Sequence, residues 1–271
     1  MGQNTGLQSD RRLTELSTRG SDGCLIVNAD DWGSTCETTD RTYECWMHGS
    51  VSAVSAMMFM SDTERATDLA RQWGIDAGLH LNLTTPLSAP SVPSRLREQQ
   101  QTLASFLQSS RISKTFYHPL LRKAFDYVIA TQIDEYRRLY GRSPERIDGH
   151  HHMHLCSNVL FDRLLPDGIV VRRNFTFGPK EKSWVNRSYR THQDRRLKQR
   201  YRIVDHLFSL MPLNVPGRLE HIAELARASV VELETHPVLE EEYRFLRAGG
   251  MQQIAADCPI VRRFAVRGHE C

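Results

Sequence analysis

Lysine is scarce in this 271-residue chain: five residues (Lys114, Lys123, Lys180, Lys182 and Lys198) stand against thirty arginines. A GC-rich coding bias accounts for that preference. The formal charge of +3 and the pI near 8.6 are too mild to argue for nucleic-acid binding. The six cysteines form no CxxC pair and follow no regular spacing, which excludes a zinc ribbon and a disulfide framework. Reduced thiols in a cytoplasmic protein are the simplest reading. No stretch approaches the roughly 18 consecutive apolar residues of a membrane span. No apolar run follows the first charges, so a secretory signal is not expected. Hydrophobic residues at 40% and charged residues at 25% are enough to build a core and exclude a disordered tail.

Short apolar runs alternate with helical patterns. Residues 1–22 are polar and aperiodic, as in a loose N-terminal extension, and 23–271 is read as one catalytic domain. Cys24 to Val27 has the continuous apolar character of a strand buried on both faces. Further strands are expected at Val51–Met60, Asp76–Leu83, Ile169–Val171 and Val230–Leu233. Helices are expected near 37–48, 63–73, 116–140, 158–165 and 219–228, with Gly49, Gly74 and Gly141 as stops. Two segments break the rhythm: a Pro- and Gln-rich insertion near 85–113 and a basic, aromatic-interleaved insertion near 180–202. Such alternation predicts an α/β fold of parallel βαβ units, an open sheet or a barrel.

Four polar clusters follow predicted strands: Asp30-Asp31, His80, the His150 cluster and His236. Ligand sites of parallel α/β folds lie at the carboxyl ends of strands. Singly, these residues have ordinary readings. Adjacent aspartates cap helices, a strand histidine can be a satisfied core residue, and His236 before Pro237 can serve a turn. Together, two imidazoles and a carboxylate suit a divalent metal, and a second carboxylate beside them suits a general base.

Residues Leu25 to Gly33, Gly78 to Thr84, Ile147 to His154 and Glu234 to Pro237 resemble, in this order, the motifs of the YdjC-like carbohydrate deacetylases. Trp32 stands where the family more often has Phe, and Thr235 where it often has Cys. The resemblance implies a single-domain irregular (β/α) barrel of the polysaccharide-deacetylase-like type. It implies hydrolysis of an N-acetyl group on an amino sugar, with release of acetate. Asp31, His80 and His150 match metal ligands, Asp30 the catalytic base, and His236 a histidine that serves as acid or orients a carboxylate. His152, His154 and Asp148 match groups that support the ligands. The resemblance favours Mg²⁺, whereas ligand softness favours Zn²⁺, so one divalent ion is expected with its identity open.

Trp32, Asn82, Trp184 and Arg195 are expected to bind substrate, an N-acetylated amino sugar or its conjugate. Arg187, Arg190, Arg195 and Arg196 suit an acidic or phosphate-bearing partner. Membrane and nucleic acid are not expected as partners, and a homo-oligomer is left open. Two other readings compete: a metal-dependent phosphoesterase on the same scaffold, and a carbohydrate- or nucleic-acid-binding module without catalysis, supported by the basic segment.

Overall fold

The computed structural model describes residues 23–110, 112–178 and 181–255, with 258, 260, 261, 263 and 264. The expected N-terminal extension, 1–22, lies outside the described residues. Seven strands form one sheet: β1 (Cys24–Trp32), β2 (Ala53–Ala56), β3 (Asp76–Leu81), β4 (Arg146–Gly149), β5 (Val170–Val171), β6 (His206–Ser209) and β7 (Val230–Thr235). Every pair is parallel, in the order β5-β4-β3-β2-β1-β7-β6. The helices are α1 (Cys36–Met47), α2 (Thr63–Trp73), α3 (Ser94–Gln108), α4 (Arg122–Tyr140), α5 (Ser157–Phe161), α6 (Trp184–Lys198), α7 (Arg218–Ala226), α8 (Glu240–Arg247) and α9 (Gly250–Ile254).

The sheet curls until its edges meet. Val170 bridges Arg202, the Val171 amide donates to Arg202 O at 2.9 Å, and the Thr176 amide donates to Leu207 O at 2.8 Å. These few bonds form an irregular seam, and the α/β barrel expected from the sequence is the fold found. Alternation along the strands sorts side chains between two environments. On β1, Leu25, Val27 and Ala29 join the large apolar core. Ile26, Asn28 and Asp30 point to the barrel interior. Ile26 packs there with Val204 and Val230. Above that apolar floor the interior is polar: Asn28, Ser55, Arg146, Glu232 and Glu234 are all buried.

Several boundaries differ from expectation. β1 runs on through the two aspartates to Trp32, with Asp30 held by buried polar partners inside the barrel. β2 is shorter than Val51–Met60, and β6 has no counterpart among the expected strands. The Pro- and Gln-rich segment contains α3, whose Leu96, Gln100, Leu103 and Leu107 form a buried stripe.

Candidate active site

The carboxyl end of β1 presents two adjacent carboxylates to one cavity, which an undistorted strand cannot do, since neighbouring side chains point to opposite faces. A register shift between Ala29 and Trp32 and a left-handed Asp31 (φ 62°) solve this. Asp30 stays in the interior while Asp31 swings onto the rim. There Asp31 Oδ1 lies 3.3 Å from His80 Nε2 and 2.9 Å from His150 Nδ1.

His80 arrives from β3 and Asp148 from the neighbouring position on β4. His80 Nδ1 is 2.7 Å from Asp148 Oδ1, which leaves Nε2 facing Asp31. The other oxygen of Asp148 accepts from Ser55 Oγ at 2.5 Å, and Ser55 Oγ accepts from Asn28 at 2.7 Å. After β4 the chain forms a tight turn, His150–Leu155, with His151 and His152 left-handed (φ 55° and 56°). The turn fans its histidines outward. His150 meets Asp31, His151 Nδ1 meets Thr84 Oγ1 at 3.0 Å, and His152 Nε2 meets Glu234 Oε2 at 3.2 Å. His154 Nε2 lies 2.9 Å from Arg172 O, so it touches the backbone of the adjacent segment.

At the centre lies Arg172, a residue the sequence reading did not single out. Its guanidinium grips Asp30 bidentately, at 2.6 and 2.7 Å. It also donates to Glu232 Oε1 at 2.8 Å and Glu234 Oε2 at 3.0 Å, and its Nη2 lies 3.1 Å from Asp148 Oδ2. Glu232 and Glu234 were likewise missed as interior groups. Their signal is the period-two pattern Val230-Val231-Glu232-Leu233-Glu234, which puts two carboxylates on one face of a buried strand.

Burial raises the Asp31 carboxyl, but the imidazoles of His150 and His80 outweigh it and hold Asp31 well below the usual carboxylate range. Burial opposes protonation of His80, but Asp30 and Asp148 overcome that and raise it. Burial pushes Glu232 up to about 7 and takes His154 down to about 3. On Glu234, burial pushes upward, and the neighbouring His152 prevails, bringing it to about 2.

Donor atoms of Asp31, His80 and His150 lie within 4.8 Å of one another. Asp31 Oδ1, although buried, forms no well-aligned hydrogen bond with either imidazole. Converging donors around an unsatisfied oxygen, backed by four carboxylates against one guanidinium, fit a divalent cation. A second group, Asp30, Glu234 and His236, also converges within 4.8 Å. Arg172 already occupies two of its members. His236 is fixed through its backbone amide, which donates to Glu242 Oε2 at 2.6 Å.

Two expected substrate contacts are corrected. Trp32 is fully buried, and its indole N–H donates to Ala66 O at 3.1 Å, so it belongs to the scaffold. Asn82 is also fully buried; its side chain accepts from the Thr84 and Thr85 amides and donates to Thr85 O, bracing the turn after β3. The structure does not bring Trp184 and Arg195 to the cluster. Trp184 is 75% exposed, and the half-buried face of α6 carries Asn186, Arg187, Arg190 and Gln193 instead.

The parallel strands curl into an α/β barrel that carries its Asp and His groups at the carboxyl rim. The match to the YdjC-like protein family extends over residues 24–270, and the chain belongs to that family. It is 34% identical over 139 residues to a chitooligosaccharide deacetylase of Serratia marcescens, covering 50% of this chain and 52% of that protein. It is 31% identical over 144 residues to a carbohydrate deacetylase of Mus musculus, covering 50% of this chain and 44% of that protein. The chain thus spans about half the length of these curated relatives. A solved structure from Enterococcus faecalis, titled as a cellobiose-phosphate cleavage protein, shares the fold. Its TM-score is 0.60 at 19% identity, over 88% of this chain and 95% of that one.

Proposed function

We propose that this protein is a metal-dependent carbohydrate N-deacetylase that hydrolyses the acetamide of an amino sugar. The convergence of Asp31, His80 and His150 beside Asp30 carries this reading, and the names of the relatives supply the substrate class. Asp31, His80 and His150 would hold one divalent ion, Mg²⁺ or Zn²⁺. Bound there, the ion supplies Lewis-acid polarisation of the amide carbonyl and acidifies water. Asp30, oriented by Arg172, accepts the proton of the attacking water. His236 donates a proton to the amine nitrogen as the C–N bond breaks, and acetate and the free amine leave. Asp148 fixes the ring of His80, and His152 with Glu234 borders the same cavity. No described helix is long and apolar enough to cross a membrane.

The test is metal analysis of the purified protein joined to a screen for acetate release from N-acetylated amino sugars, with phosphate release from sugar phosphates run in parallel. His80→Ala and His150→Ala are expected to lose metal and turnover together. Asp30→Asn is expected to keep the metal and lose about 10²–10⁴-fold in turnover. Phosphate release without acetate release would establish the phosphoesterase reading instead. A protein without metal and without turnover would leave a binding module.

A further inference from the structure

Asn28 stands two positions before Asp30 on β1, so the two share a face of the strand, and both are buried in the barrel interior. The amide nitrogen of Asn28 carries two hydrogens, and each has its own acceptor: Asp30 Oδ1 at 2.9 Å and Ser55 Oγ at 2.7 Å. The amide oxygen lies 3.5 Å from Nη2 of Arg146, a side chain that can only donate. These neighbours fix which way round the amide sits.

That orientation sets the direction of the bonds beyond it. Ser55 Oγ accepts from Asn28, so its own hydrogen is left for Asp148 Oδ2, 2.5 Å away. Ser55 lies on β2 and Asp148 on β4. The β3 residue paired with Ser55 is Gly78, which adds no side chain to the interior. Ser55 and Arg172 Nη2, at 3.1 Å, both address Oδ2 of Asp148, and Oδ1 is left to accept from His80 Nδ1 at 2.7 Å. His80 therefore keeps its hydrogen on Nδ1 and turns Nε2 toward Asp31 and the ligand group. Four side chains from four strands thus form one directed row, with Asn28 at its head.

We infer that Asn28 is a positioning residue that serves both sides of the reaction centre through its two N–H groups. Through Ser55 and Asp148 it dictates which nitrogen of His80 carries the hydrogen, and directly it orients the Asp30 carboxylate. Partners that aim a ligand in this way weigh on metal affinity nearly as much as the ligand itself. The inference rests on the metal role of His80 and the base role of Asp30 in the proposed function, whereas the row of hydrogen bonds stands on its own geometry.

The test is a double-mutant cycle on the full chain, with Asn28→Leu, Ser55→Ala and the two combined, read by calorimetric titration of Co²⁺ into metal-free protein. Each single variant should raise the Kd for Co²⁺ about tenfold. The double variant should bind no more weakly than Asn28→Leu, because Asn28 acts on His80 through Ser55. At saturating Co²⁺, Asn28→Leu should lose about tenfold more kcat than Ser55→Ala, at unchanged KM, because only Asn28 touches Asp30. Additive losses in Kd, an unchanged Kd in Ser55→Ala, or equal kcat in the two single variants would overturn the inference. So would a lowered thermal midpoint with Kd and kcat as in the wild type, the mark of a packing role alone. Proton–nitrogen NMR of the metal-free protein needs neither metal nor turnover. The Nδ1–H resonance of His80, identified by its loss in His80→Ala, should shift in Ser55→Ala and in Asn28→Leu, and an unmoved resonance would overturn the inference. Where Asn28→Leu does not fold, Ser55→Ala decides by its Kd and this resonance. A shifted resonance in a protein that binds no Co²⁺ would keep the row of bonds and retire the metal reading. A non-additive cycle in a protein that releases no acetate would keep it and retire the deacetylase reading.

Discussion

At Arg172 one guanidinium, fully enclosed, meets Asp30, Asp148, Glu232 and Glu234. Burying these charges is tolerable only while the set is complete. Arg172→Met would keep most of the volume and strand the carboxylates. The expected loss is about 3–5 kcal/mol of unfolding free energy at pH 7, measured by urea denaturation. Glu242, beneath His236, behaves differently: burial raises its carboxyl to about 7. The folded state therefore holds this proton more tightly than the unfolded chain. The associated stability is fully present below the ordinary glutamate pKa of 4.5 and is lost as pH rises through about 7. Glu242→Gln keeps an acceptor for the His236 amide. Relative to this variant, the wild type should lose up to about 1.4 kcal/mol per pH unit between pH 4.5 and 7, and little more above it. Parallel slopes for the two proteins across that window would rule this out. Legibility at this scale follows sequence distance. Asp30, Asp31 and His80 could be picked out because they stand in or at the end of an apolar run, and His150 because it opens a cluster of histidines after Ile147-Asp148-Gly149. Arg172 could not, because all four of its carboxylates lie at least 24 positions away and only the closed barrel brings them together.

Helices with glycine stops were readable. Thr63 to Trp73 ends at Gly74, and the long helix ends at Gly141 in the left-handed conformation (φ 69°), as the breakers indicate. β6 was not readable, because His206-Leu207-Phe208-Ser209 lacks the apolar run of a doubly buried strand and is largely half-exposed. The orientation of α6 was also hidden: its polar sequence left no apolar stripe to show that Arg187 and Arg190, rather than Arg195, face inward. Between β3 and β4 the packing depends on one missing side chain. A Cβ at Gly78 would lie 2.6 Å from Arg146 Nε and 2.9 Å from its Cζ. That guanidinium has little room to move, held by Val54 O at 2.8 Å and Asp76 at 3.2 Å with Phe264 stacked on it at 4.4 Å. Gly78→Ala should therefore cost about 1–3 kcal/mol, read as a lowered midpoint in thermal unfolding. An unchanged midpoint would mean that Arg146 yields freely.

The barrel as a whole is unevenly fastened. β1 pairs in parallel with β7 from Cys24 to Ala29 and with the shorter β2 on its other side, whereas β5 contributes two residues and meets the β6 side through isolated bonds. Opening should begin at that seam. Amide hydrogen exchange should show Val171 and Thr176 exchanging at least tenfold faster than Val27 and Leu233 under native conditions. Equal protection would indicate a barrel that opens only globally.

The strand order has a consequence for synthesis. Among the described strands β1 is made first, yet it sits in the middle of the sheet, and one of its two neighbours, β7, is made last. Asp30 must wait in water for Arg172, and Arg172 in turn for Glu232 and Glu234, some sixty residues further on. The nascent chain can gather its outer helices early, but the charged interior can be sealed only after residue 235 has emerged. The carboxylates thus act as a timer that delays desolvation until nearly the whole fold has left the tunnel.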